Sequence, residues 1–183
     1  MVRFLSKITL KLFGWKREGR FPEGKKFVVV AAPHTSGWDF VLGRLYYNTI
    51  GKSVRFMINE KFFFFPLGIW LKSLGALPVK TGKRVGLVKQ MVDEFRKRDE
   101  FLLTITPEGT RKRVRKWKRG FYFIAKDAQV PIVLGFIDYK KKTLGIKETL
   151  YLSGDEAADL EKIRKIYEDV NACHPEKFNK ENI

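Results

Sequence analysis

Three apolar runs without alternation constrain this chain most: KFVVVAA at 26–32, FLLTI at 101–105 and PIVLGF at 131–136. A strand with one face in water alternates apolar and polar residues; these do not, so each is predicted to be covered on both faces, as in a parallel sheet between helices. The stretches between them read as helices. Residues 38–50 follow Thr35 or Ser36 as a candidate N-cap, 85–98 turn Leu87, Val88, Met91, Val92 and Phe95 inward, and 121–128 and 157–170 complete the set. Further strands are expected at 53–58 and within 144–152, and a Thr81-Gly82 turn after Pro78 and Val79. The alternation predicts an α/β fold with a mostly parallel or mixed central sheet flanked by helices. A chain of 183 residues suits one core.

Residues 1–20 read separately from the single domain expected over 21–183. Leu5, Ile8, Leu12 and Trp15 recur at helical spacing, with Lys7, Lys11 and Lys16 elsewhere on the wheel. Such a basic amphipathic helix either lies in the headgroup layer of a membrane or docks on its own domain. Arg3, Lys7 and Lys11 interrupt it too early for a signal peptide. The longest uncharged apolar run, 62–71, is half the roughly twenty residues a spanning helix needs, so any membrane contact is expected to be peripheral.

The net charge of +17 narrows the partners. Residues 140–183 balance nine basic against nine acidic side chains, so the excess lies in 1–139. A field of that sign fits nucleic acid, an anionic leaflet or phosphorylated substrates. The lone Cys173 excludes an intramolecular disulfide and suits a reducing compartment; beside His174 it has neither the ligand count of a zinc site nor a triad's third member.

Two sharp loops leave the predicted buried strands: Pro33-His34-Thr35-Ser36-Gly37-Trp38-Asp39 and Thr106-Pro107-Glu108-Gly109-Thr110-Arg111. Beyond the carboxyl ends of strands is where open α/β sheets bind ligands. In the first, a strand-to-helix turn lets Asp39 accept one ring N–H of His34, which fixes the tautomer and frees the other nitrogen as a base. Spacing alone favours the simpler account, in which His34 caps the helix and Asp39 is a solvated first-turn carboxylate. The second loop holds Glu108 and Arg111 in a Pro/Gly turn, and seven of the nine residues 111–119 are basic. An Arg fork on a structured loop suits bidentate capture of a phosphate.

Taken together, PHTSGWD and TPEGTR resemble the first and third motifs, His-x4-Asp and Glu-Gly-Thr-Arg, of the lysophospholipid and glycerol-phosphate acyltransferases. Residues 60–80 look like the second motif and Val130-Pro131-Ile132-Val133 like the fourth, so the ordered set covers 27–136 and is similar to the compact bacterial branch. The resemblance implies that His34 deprotonates the acceptor hydroxyl and Asp39 orients it. It implies that Glu108, Gly109, Thr110, Arg111 and Lys80 hold the glycerol-phosphate part of the acceptor and that Pro131 shapes the site. Lys80 stands where the family usually has Arg, a point charge in place of a fork. Further implications are attack on an acyl-CoA or acyl-carrier-protein thioester, a lysophospholipid such as 1-acylglycerol-3-phosphate as acceptor, phospholipid biosynthesis as context, no metal or other cofactor, and a peripheral place on the cytoplasmic, anionic face of a membrane. A different acceptor, such as an amino-acid lipid, is the alternative. A basic nucleic-acid-binding protein is the reading from another class, although no helix-turn-helix, zinc-finger or RNP pattern is present. Phe62, Phe63, Phe64 and Phe65 are expected to line an acyl groove or dip into a bilayer, since four adjacent side chains cannot all face one core, and Trp117 to act as an interfacial anchor.

Overall fold

A computed structural model describes residues 1–80 and 84–181, apart from the side chains of Arg84 and Val85; the expected Thr81-Gly82 turn lies outside the described residues. Among these, seven strands form one mixed sheet: β1 (Lys16–Glu18), β2 (Lys26–Ala31), β3 (Arg55–Asn59), β4 (Ala76–Val79), β5 (Phe101–Ile105), β6 (Ile132–Asp138) and β7 (Thr143–Leu150), in the order β1-β7-β6-β2-β5-β3-β4. β2 to β6 run parallel; β7 pairs antiparallel with β6 and parallel with β1. Six α-helices flank the sheet: α1 (Val2–Leu12), α2 (Trp38–Ile50), α3 (Leu67–Ser73), α4 (Arg84–Lys97), α5 (Gly120–Ala128) and α6 (Glu156–Tyr167).

β2 shows why its sequence lacks alternation. Val28 and Val30 pack on one face against α4, α5 and α6 through Met91, Phe95, Phe121 and Ile163, whereas Phe27 and Val29 pack on the other against Leu10 of α1 and Leu42 and Tyr46 of α2. Both faces are core, so both parities are apolar.

Strand order also creates the site. The connection leaving β2 runs through α2 to β3 on one side; the connection leaving the adjacent β5 runs through α5 to β6 on the other. Right-handed crossovers put those two helices on opposite faces. The loops at the carboxyl ends of β2 and β5 therefore diverge and leave a crevice between them.

Two strands were not expected from the sequence. β1 is three exposed residues inside a stretch that reads as a loop. β4 contains Pro78, which cannot donate to a ladder and is tolerated because β4 is an edge strand. Trp117 departs from its expected role: it is 6% exposed, its ring 5.6 Å from that of Tyr167, because the loop after β5 folds back onto the core instead of standing out as a basic arm. No described helix is long and apolar enough to cross a membrane.

Candidate active site

The crevice brings the two loops together. His34 Nδ1 lies 3.1 Å from Asp39 Oδ2. That same oxygen accepts the backbone N–H groups of Thr35 and Ser36, each at 2.9 Å, because Asp39 sits in the first turn of α2 and folds back over the loop that precedes it. The helix is capped at Gly37 rather than by the Thr35 or Ser36 side chain; Ser36 Oγ accepts Trp38 N–H at 3.2 Å, and Thr35 Oγ1 accepts His174 N–H at 3.1 Å. Burial works to raise the Asp39 pKa, and the hydrogen bonds from His34, Tyr139 and the Ser36 amide outweigh it, so the carboxyl is held below its ordinary value. An ionised Asp39 on Nδ1 favours the tautomer with Nδ1–H, which leaves Nε2 as the free base.

From the second loop, Glu108 Oε1 accepts the His34 backbone N–H at 2.9 Å, so the two loops are joined directly. Glu108 is 4% exposed, and burial pushes its carboxyl up to about 7 despite the His34 amide. Gly109 has φ +63°, a left-handed conformation that disfavours side chains, and a Cβ there would lie 2.6 Å from Lys118 Nζ. Arg111 reaches back to the first loop: a Cβ on Gly37 would lie 3.3 Å from its Nη1. Arg111 and Lys118 thus bring two cations to the Gly109–Thr110 turn, and neither has an ion-pair partner among the described residues.

A cavity of about 740 Å³ opens beside His34, Gly109, Thr110 and Arg111 and extends under α2 to α3, past Phe40, Gly43, Tyr47, Phe56, Trp70 and Leu74. That volume is typical of a small-molecule site. Gly43 borders it, with no heavy atom within 4 Å of where its Cβ would stand.

The remaining expected residues are placed as follows. Lys80 is exposed just past β4, at the same sheet edge but two strands from β5, about 10 Å across at the usual strand spacing. Phe62, Phe64 and Phe65 are exposed and Phe63 half-buried; the cavity is lined by the neighbouring Trp70 and Leu71 instead. Pro131 precedes β6 at the opposite end of the sheet, where its carbonyl accepts Val28 N–H at 3.2 Å, and Gly135, Phe136 and Ile137 of that strand meet the cavity.

Tyr139 is the residue that sequence reasoning missed. Its hydroxyl donates to Asp39 Oδ1 at 2.6 Å. The strand was expected to stop at residue 136, but β6 runs to Asp138, and being parallel to and beside β2 it delivers the next residue onto the His34 loop. Only the length of β6 was a sequence signal; its adjacency to β2 was not.

A family profile described as Acyltransferase matches residues 16–134. Among solved structures, the crystal structure of the 1-acyl-sn-glycerophosphate (LPA) acyltransferase PlsC from Thermotoga maritima is similar in fold. Its TM-score is 0.61 at 18% sequence identity, over 91% of this chain and 77% of that one. No curated protein matches the sequence.

Proposed function

This chain belongs to the acyltransferase family, and from that membership and the geometry of the His34–Asp39 pair we propose that it moves a fatty acyl group from an acyl-CoA or acyl-carrier-protein thioester to the hydroxyl of a lysophospholipid such as 1-acylglycerol-3-phosphate. The observation that carries this reading is the hydrogen bond from His34 Nδ1 to a carboxylate already held by two backbone amides, with the other ring nitrogen free at the mouth of an apolar cavity.

In the proposed reaction, Nε2 of His34 takes the proton of the acceptor hydroxyl as its oxygen attacks the thioester carbonyl carbon. The C–O bond forms, and the tetrahedral intermediate collapses with cleavage of the C–S bond. The leaving thiolate takes the proton back from the imidazolium, so the enzyme returns unchanged. Asp39 stabilises the imidazolium and holds its tautomer. Arg111 supplies a bidentate fork for the acceptor phosphate, Lys118 a second cation across Gly109, and Lys80 a more distant one. Glu108 is assigned a brace rather than a phosphate contact, since it is buried, bonded to the His34 amide and anionic when ionised. The cavity receives the acyl chain.

The exposed apolar side chains support a membrane-surface location. Leu12 is 79% and Phe65 82% exposed, and both stand among similar neighbours: Phe4, Leu5 and Ile8 on α1, and Phe62, Phe64 and Ile69 around α3. With +17 of net charge, the proposed partner is an anionic leaflet.

His34→Ala should lower acyl transfer at least a hundredfold while vesicle binding stays at the wild-type level. The assay is an acceptor screen with labelled acyl thioester read by mass spectrometry, which also identifies the headgroup; transfer by His34→Ala at the wild-type rate would overturn the assignment.

A further inference from the structure

The Asp39 carboxylate has two ends, and the dyad uses one of them. Oδ2 takes His34 Nδ1 and the amides of Thr35 and Ser36; Oδ1 has Tyr139 as its only hydrogen-bond donor among the described residues. We propose that Tyr139 is a positioning residue for acyl transfer: by anchoring Oδ1 it keeps Oδ2 aimed at the His34 ring, so that Nε2 stays aligned with the acceptor hydroxyl. The inference rests on the dyad reading above.

The turn bearing Tyr139 is fixed from three directions. Asp138, 1% exposed, accepts Lys141 N–H at 2.8 Å and the Asn171 amide Nδ2 at 2.9 Å, and Tyr139 N–H donates to Asn171 O at 2.9 Å. From the chain's start, Lys16 N–H donates to Lys142 O at 2.9 Å. The Trp15 ring meets the Tyr139 ring edge-on, with centroids 5.3 Å apart and planes at 87°. A hydroxyl held this firmly fixes Oδ1 while the two amides fix Oδ2, so the plane of the carboxylate is set from both ends. Without it, Oδ1 is a buried carboxylate oxygen lacking a donor, and the group is held through Oδ2 alone.

A buried tyrosine needs a partner whatever its role, so the test must separate positioning from satisfaction. Tyr139→Phe keeps the ring and its packing and removes the hydroxyl alone. Tyr122→Phe is the matched control: it removes a buried hydroxyl that donates at 3.1 Å to a different carboxylate, Asp159, away from the site. The groups facing the Tyr139–Asp39 contact are His34 from the first loop, Glu108 from the second and Cys173 from the C-terminal segment, with Arg111 against Gly37. Burial pushes Glu108 up to about 7, within the same pH range, so the quantity read is the shift relative to wild type. Losing a hydrogen bond to the charged carboxylate makes the coupled dyad hold a proton more tightly.

For Tyr139→Phe, kcat for acyl transfer falls about tenfold with KM nearly unchanged, and the acid limb of the kcat profile moves up by about one pH unit. Tyr122→Phe lowers the melting temperature and leaves the profile in place. Trp15→Leu, which keeps the hydroxyl but frees its ring, gives a smaller shift of the same sign and serves if Tyr139→Phe does not fold. An inactive His34→Ala beside a Tyr139→Phe enzyme with wild-type kcat and profile would overturn the positioning role and spare the dyad. A shifted profile in Tyr122→Phe would likewise overturn it. Full activity in His34→Ala would instead sink the dyad itself.

Discussion

At the scale of single residues, Glu108 stands in a place where a carboxylate is costly. The unfolded chain releases this proton near 4.5, whereas the folded protein keeps it to about 7, because burial penalises the charge more than the His34 amide favours it. Between those values the folded state binds more protons, so stability from this group is full at low pH and is lost as pH rises toward 7. Glu108→Gln keeps an oxygen for the His34 amide and cannot ionise. Its stability relative to wild type should therefore grow by about 2 to 3 kcal/mol between pH 5 and pH 8, read from urea unfolding at the two values; a pH-independent difference would show that Glu108 ionises freely. The sequence made His34, Asp39, Glu108 and Arg111 visible because Pro and Gly mark the two strand ends beside them and the two loops together match the ordered motifs of a known family. Tyr139 was invisible because nothing local ties residue 139 to residue 39.

At the scale of elements, α1 docks on the domain along one side and leaves an apolar side exposed. Ser6 and Leu10 are buried against the domain, Arg3 Nε donates to Thr49 O at 2.9 Å, and Asn48 Nδ2 donates to Ser6 Oγ at 3.3 Å. The opposite side, with Phe4, Leu5, Ile8 and Leu12, is open to solvent. A single amphipathic period cannot say which apolar stripe is docked, because docking used a narrow strip including a serine and left the wider apolar arc outside. In the proposed membrane contact that arc is the working face. Leu5→Glu with Leu12→Glu should cost less than about 0.5 kcal/mol of stability, since both side chains are exposed, yet lower vesicle binding at least tenfold, as measured by sedimentation. Unchanged sedimentation would assign the contact to the aromatic residues around α3. β1 and β4 show the converse failure: three exposed residues and a Pro-containing run carry no strand signal, and only pairing with β7 and β3 makes them strands.

At the scale of the whole molecule, the excess positive charge of residues 1–139 and the crevice at the carboxyl edge of the sheet act over different distances. The charge works through solvent and is screened, with a Debye length of about 10 Å at 0.1 M salt and 3 Å at 1 M. Binding to anionic vesicles should therefore fall steeply over that range while any residual binding to neutral vesicles stays level; tight DNA binding without vesicle binding would favour the nucleic-acid alternative. What the sequence determined by itself was the α/β class, the strands at 26–32 and 101–105, the helix at 38–50 and the positions of the two loops, because burial on both faces, helical periodicity and Pro/Gly turns are all local properties. What only the tertiary structure decided was the order of the strands. That order puts β2 between β5 and β6, and so brings Glu108 to the His34 amide and Tyr139 to Asp39. It also leaves Pro131 at the far end of the sheet and buries Trp117. Strand neighbours are chosen by the packing of all the layers at once, and no short stretch of chain records that choice.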